Sequence, residues 1–222
     1  MIWGPDTAPQ LRITFGNDEM KTVDKTTHVG ITLQTLSNTP NSLTADRVKK
    51  AKCSLLAARG IGSLSIPMPP SALSKMYWSI AIPRSLYGTE IVPYEQINIH
   101  ELENAHRQNA KIVQGLPGNI SRPAPLMPMG WITIQSYIDI KKIIFLLSIL
   151  ALPVANLYRK VVIQILLECS KSTQNSKSSP VTCMYRCVLK YDWLKVITEF
   201  ILNEGGEISK AKSLIKKDYM GT

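Results

Sequence analysis

Apolar and polar residues alternate in only one part of this chain, near its start. Leu11-Arg12-Ile13-Thr14-Phe15 alternates, Gly16-Asn17-Asp18 supplies a turn and Met20 to Val23 can return, which predicts a β-hairpin. A second run, His28 to Leu33, also alternates and is rich in β-branched residues, so it too is expected to be extended. Residues 34–43 are a polar connector. From Thr44 onward the apolar spacing lengthens to the three-and-four pattern of amphipathic helices.

Thr44 is expected to cap a helix with Val48, Ala51, Leu55 and Ala58 on one side and Gly60 as its stop. On it, Lys49 and Lys50 project away from the apolar stripe, and Lys52 and Arg59 sit at its margin. Ser71 opens the next helix, with Leu73, Met76, Tyr77 and Ile80 in register, and Pro83 must kink or end it. Asn98 and Glu101 are expected to form the capping box of a third helix, closed by Gly115. The Gly- and Pro-rich stretch 117–130 is expected to be a linker and the boundary between two helical units. Beyond it, 131–152 and 154–169 read as two apolar helices separated by Pro153. The Ser/Lys/Asn-rich segment 171–179 predicts a mobile loop. A helix is expected from Pro180 to about Asn203, ended by Gly205-Gly206, and a last basic one from Ser209 to Lys217.

The reading is therefore mainly α with a small N-terminal β-hairpin, divided as 1–43, 44–116, a linker at 117–130, and 131–222. The apolar run Ile143 to Ala155 falls short of the roughly 20 residues that a bilayer-spanning helix needs. A buried core helix is expected there and no membrane partner. Met1-Ile2-Trp3-Gly4-Pro5 has neither the basic start nor the apolar core of a signal peptide, so an intracellular location, nuclear or cytoplasmic, is expected.

Charge adds a candidate partner. With 26 Lys+Arg against 16 Asp+Glu the net charge is +10, high enough to suggest a polyanion. It is concentrated: 44–60 carries Arg47, Lys49, Lys50, Lys52 and Arg59 against Asp46 alone. Residues 171–222 hold nine basic and five acidic residues, whereas 1–43 are slightly acidic. Helices with protruding cations can neutralise phosphates, with steep salt dependence and little sequence specificity. Arg47, Lys49, Lys50, Lys52, Arg107 and Lys111 are the candidates.

Catalytic patterns are not found. There is no Asp-Asp pair, G-x-S-x-G, H-E-x-x-H or phosphate-cradling Gly loop. Asp18-Glu19 and Glu101/Glu103 read as solvated charges, and His106 as a core-edge histidine rather than a base. Cys183 and Cys187, four apart, share a helical face but lack further ligands nearby, so Cys53, Cys169, Cys183 and Cys187 read as thiols, with no metal or cofactor expected.

The run Lys75 to Pro117 contains P-x-x-x-Y-G-x-E (Pro83, Tyr87, Gly88, Glu90), then L-E-x-A-x-R-x-x-A-K-x-x-Q-G-L-P from Leu102. It resembles the region downstream of the polymerase palm in reverse transcriptases of non-LTR (LINE-type) retrotransposons. Thr27-His28-Val29-Gly30-Ile31 resembles their primer-grip turn, and Arg47-Val48-Lys49-Lys50-Ala51 the first thumb helix. Leu126 with Gly130-Trp131, and Tyr191-Asp192-Trp193-Leu194 with Phe200-Ile201, resemble the segments that follow.

The resemblance implies a primer-grip hairpin, a helical thumb-like bundle and a C-terminal helical extension, without the catalytic palm and its metal-binding Asp-Asp. It places His28, Val29 and Gly30 near a primer strand. Arg47, Lys49, Lys50 and Lys52 would lie along the template–primer backbone. The implied partners are RNA, DNA or RNA–DNA hybrid, not a small molecule, together with the missing palm or an intact polymerase in trans. Divalent Mg is implied only for an intact parent polymerase. Two other readings of the residues stay open: a helical protein-interaction module, or a non-functional remnant of a mobile element.

Overall fold

In the computed structural model of the chain, the described residues are 14–15, 18–19, 25–28, 31–34, 41–62, 68–92, 94, 96–121, 124–171 and 179–202. Among them the protein is mainly helical. The extended segments are short. Thr14–Phe15 (β1) pairs antiparallel with Asp18–Glu19 (β2), and Lys25–His28 (β3) with Ile31–Gln34 (β4). The run expected to extend from His28 to Leu33 is thus divided between β3 and β4, with Thr27 opposite Thr32 and His28 opposite Ile31.

Helix α1 spans Asn41–Gly62, starting earlier and ending later than its residues suggest. Thr44 is fully buried inside it instead of capping it. Gly60 does not stop it: its φ is not positive and a Cβ there would meet nothing, so the helix runs through. The next helix is interrupted as Pro83 requires, by a device the sequence did not show. Pro70–Met76 (α2) passes into a π-turn, Tyr77–Ala81, and then into Ile82–Ser85 (α3), which carries Pro83 in its first turn. Proline has no N–H to give the carbonyl one turn back, and the wider π-turn changes register just ahead of it. The extra residue rotates the following positions. Leu73, Tyr77, Ala81 and Ile82 are buried, whereas Ile80, expected on the apolar face, is 49% exposed.

Helix α4, Gln96–Gln114, begins before Asn98, so the expected capping box is not its start; Asn98 is buried within the first turn. It closes where expected. Gly115 takes φ +65, its N–H reaches the carbonyl of Ile112, and Leu116 N–H reaches that of Lys111. That paired closure satisfies the last carbonyls and needs a left-handed residue at its centre. The same closure recurs twice. Gly130 (φ +60) ends a 3-10 turn at Met127–Met129, with Trp131 N–H bonded to Leu126 O. Asp192 (φ +55) ends Pro180–Lys190 (α7), with Trp193 N–H bonded to Val188 O. The helix expected from Pro180 to about Asn203 is therefore two, α7 and Leu194–Leu202 (α8). Burial of Trp193 beside Val188 accounts for an aspartate in the left-handed position at the break.

The stretch 117–130 is fastened to the helices before it. Lys111 Nζ donates to Gly118 O (2.7 Å) and Ile120 O (3.0 Å), and Gln114 Nε2 to Pro125 O (2.6 Å). Leu126 and Trp131 are buried in one apolar cluster with Leu55, Tyr77, Leu86, Leu102 and Val113. Helix α5, Ile134–Leu150, then joins two cores. Ile134 and Ile138 belong to that first cluster. Ile140, Ile143, Leu146, Leu147 and Leu150 belong to a second, with residues of α7, α8 and Leu157–Lys171 (α6). Apolar side chains on every side of α5 follow from this enclosure. No helix among the described residues is long and apolar enough to cross a membrane.

Candidate nucleic-acid interface

Helix α1 is held by one side and bare on the other. Thr44, Ala51, Ser54, Leu55 and Ala58 are buried against α2, the π-turn, α3 and α4. Lys49, Lys50, Lys52 and Arg59 are exposed. At 100° per residue, Lys49, Lys52 and Arg59 share one flank, with the 44%-exposed Leu56 between them. Lys50 lies on the opposite flank, beside Ser54 one turn on. Arg84 of α3 joins that flank, its Nη1 3.5 Å from Ser54 Oγ. Arg84 is a cation that the sequence reading missed. Nothing local marks it, because its neighbours Ile82, Ser85 and Leu86 are buried.

The remaining candidates divide sharply. Arg47 is turned inward. Its Nη1 donates to Ser85 O (2.6 Å), at the end of α3, and to Tyr87 O (2.9 Å) just beyond it, and its guanidinium lies 5.7 Å from the Tyr94 ring centre. A cation at a helix C-terminus is favoured by the helix dipole as well as by the hydrogen bonds. Burial pushes the Tyr94 hydroxyl up, and Arg47 partly offsets it. Lys111 is buried, with its ammonium on the loop carbonyls described above. Arg107 is half-buried and pairs with Glu103 at 3.4 Å. The side chain of His28, and Val29 and Gly30 altogether, lie outside the described residues. The structure thus leaves Lys49, Lys50 and Lys52 exposed and shows Arg47, Arg107 and Lys111 engaged internally.

Expected as a solvated charge, Glu103 is buried, and its Oε2 accepts from the backbone N–H of Ile134 (2.7 Å) at the start of α5. A carboxylate at that position meets both an unpaired N–H and the positive end of the helix. Thr133 completes the cap by accepting from Ser136 N–H (3.2 Å).

The ionisable groups inside the protein are likewise structural. His106 lies deep in the first core rather than at its edge. Asn109 Nδ2 donates to Tyr77 Oη (3.4 Å), Tyr77 Oη donates to His106 Nδ1 (2.9 Å), and His106 Nε2 donates to Ile132 O (3.1 Å). This assignment gives every nitrogen of the ring a partner in its neutral form. Burial lowers its pKa to about 4, and Tyr77, stacked on Trp131 at 4.6 Å, is raised by burial. The cavity beside them, between α1, the π-turn and α4, measures ≈ 10 Å³, about the room of one water molecule. It offers no place for a substrate.

In the second core Asp139 is the hub. It accepts from Gln135 Nε2 (2.8 Å), Lys190 Nζ (2.7 Å), Tyr191 Oη (2.9 Å) and Cys187 Sγ (3.5 Å). Burial and that carboxylate push the Cys187 thiol up to about 12, far from a reactive thiolate. Among the described residues no group of three or more His, Cys, Asp or Glu is placed to hold a metal ion.

No family model matches this chain, and no curated protein or solved structure is significantly similar to it.

Proposed function

We propose that the chain is a reverse transcriptase-like protein of non-LTR retrotransposon origin, its helices corresponding to thumb and post-thumb segments. In this reading it binds RNA, DNA or their hybrid through the backbone, without a polymerase active site of its own. On the resemblance, the β3–β4 ladder would correspond to the primer-grip hairpin and the helical unit around α1 and α4 to the thumb.

The observation that carries the binding part is the contrast among cations. Arg47, Arg107 and Lys111 are engaged internally, whereas Lys49, Lys50, Lys52 and Arg59 of α1, with Arg84 at its flank, face solvent. A helix that keeps cations unpaired on its outer face suits phosphates, which recruit charge without requiring a pocket. About four phosphate contacts would give a log–log salt slope near −3 to −4.

Two experiments test the two halves. Titrating a labelled primer–template with the full chain across a range of salt should give binding that weakens with that slope. Binding indifferent to salt, or none at low salt, overturns the interface. Sequencing genomic DNA and transcript upstream of Met1 tests the origin. An in-frame palm with Tyr-x-Asp-Asp supports it, and unrelated coding sequence in the same frame overturns it.

A further inference from the structure

Just beyond α3 a tyrosine ring is left open to solvent on a firmly held turn. Tyr87 is 47% exposed, although Leu86 before it and Gly88 and Thr89 after it are buried. Hydrogen bonds fasten the backbone beneath it. Leu86 N–H donates to Ile82 O (2.9 Å), Thr89 Oγ1 to Leu86 O (2.9 Å), and Arg47 Nη1 to Tyr87 O (2.9 Å). Gly88 takes the left-handed φ of +75 that the reversal requires. No other ring among the described residues lies against Tyr87.

Two cations stand beside it without a counter-charge. Arg84 Nη1 lies 3.5 Å from Ser54 Oγ and Tyr87 O is held by Arg47, so the end of α3 runs along α1 from Ser54 back to Arg47. Those two positions are about 10 Å apart along the helix axis. Lys50 falls between them, about one turn from each, on the same flank. Lys50, Arg84 and Tyr87 therefore share one exposed edge where α3 meets α1. Among the described residues neither cation is paired with a carboxylate. Of the nearby acids, Asp46 is exposed one turn before Lys50. Glu90 is turned inward, its Oε2 buried and its charge acting on the Tyr94 and Tyr137 hydroxyls.

We propose that this edge takes unpaired nucleotides of single-stranded RNA or DNA, with Lys50 and Arg84 on the phosphates and Tyr87 stacked on a base. The proposal rests on the nucleic-acid reading and narrows it. Two cations would accept the phosphates of a duplex as readily as those of a single strand. The ring discriminates, because bases inside a duplex are already stacked on one another and only an unpaired one has a free face. Every base has such a face, so the contact is indifferent to sequence. A guanidinium next to the ring adds a cation–π partner for the same base. The held turn helps as well, since the backbone that carries the ring needs no ordering when a strand arrives. On a primer–template, the edge would hold the unpaired overhang.

Fluorescence anisotropy on the full chain tests it, with a labelled single strand of about 12 nucleotides, its blunt duplex, and an abasic strand of the same length and charge. Tyr87→Ala should weaken single-strand binding about tenfold or more, with an unchanged salt slope because no charge is lost. Its duplex binding should match the parent's, which shows that the variant is folded. Tyr87→Phe keeps the ring and should bind the single strand like the parent. Arg84→Ala should instead make the single-strand log–log slope shallower by about 0.7. The abasic strand should bind the parent as weakly as the ordinary strand binds Tyr87→Ala. Single-strand affinity unchanged in Tyr87→Ala, an equal loss in Tyr87→Phe, or a parent that binds abasic and ordinary strands alike overturns the stacking edge. Each leaves the broader reading standing while binding still weakens with salt. A parent with no salt-dependent binding to strand or duplex overturns both.

Discussion

The two cores that share α5 are made of different materials. The first is aromatic and hydrogen-bonded: Tyr77, Trp78, His106 and Trp131 meet ring to ring, and Asn109, Tyr77, His106 and Ile132 O form a directed chain of donors. The second is aliphatic, with Ile143, Leu146, Leu147 and Leu150 wholly buried and its polar groups gathered on Asp139 and Arg159. Aliphatic packing draws its stability from area and cavity-free fit, so its failures scale with volume removed. A directed network contributes less net energy per group, but leaves an orphaned partner when one member is lost.

The largest effect should therefore come from the aliphatic side. Leu147→Ala is expected to cost about 3–4 kcal/mol in chemical denaturation, because the enclosed site cannot collapse on the void. A loss under about 1 kcal/mol would mean that the second core is loosely packed.

Acid should act on the other core. In the folded protein His106 stays neutral down to about pH 4, whereas the unfolded chain takes up a proton near its ordinary value of 6.5. The unfolded state binds more protons between those values, so stability is fully present above pH 6.5 and falls as pH drops towards 4, by up to about 3 kcal/mol. Denaturation midpoints followed across that window in the parent and in His106→Gln should diverge at neutral pH and converge on acidification. Parallel curves would remove His106 as the cause.

Smaller effects separate the network's members. Tyr77→Phe keeps the ring stack but leaves His106 Nδ1 without its donor, at an expected cost of about 1–3 kcal/mol. Glu103→Gln keeps a hydrogen-bond acceptor for Ile134 N–H but loses the charge at the α5 N-terminus, for about 1 kcal/mol. A thermal melt in which Glu103→Gln matched or exceeded Tyr77→Phe in damage would invert the comparison.

Much of this architecture can be read from the chain. Gly115 followed by Leu116-Pro117 announces the end of α4, Pro83 announces a break, and the run from Ile143 is apolar on too many sides for a surface helix. Other features depend on partners distant in sequence. Glu103 reads as surface charge until Ile134 N–H is brought to it, and Arg47 as a phosphate ligand until the carbonyls of Ser85 and Tyr87 are placed beside it. Lys111 offered a local clue, since the tight Gly-Leu-Pro-Gly loop that follows must leave its carbonyls near the helix end. Gly60 inside a helix runs against residue preference, whereas Asp192 takes a left-handed conformation that aspartate tolerates better than most residues but that glycine would ordinarily signal. Of the candidate site, the exposed lysines of α1 were legible from helical spacing alone; Arg84 required the fold.

The contrast between exposed and internally engaged cations is the centre of the functional account, and one titration tests it most directly. Primer–template binding should be measured against salt for the parent and for Lys49→Glu with Lys50→Glu, a surface change expected to leave stability within about 0.5 kcal/mol. The account predicts weaker binding and a log–log slope shallower by about 2, one counterion release lost per lysine. Equal affinity and an unchanged slope would contradict it, and α1 would then have no part in binding nucleic acid.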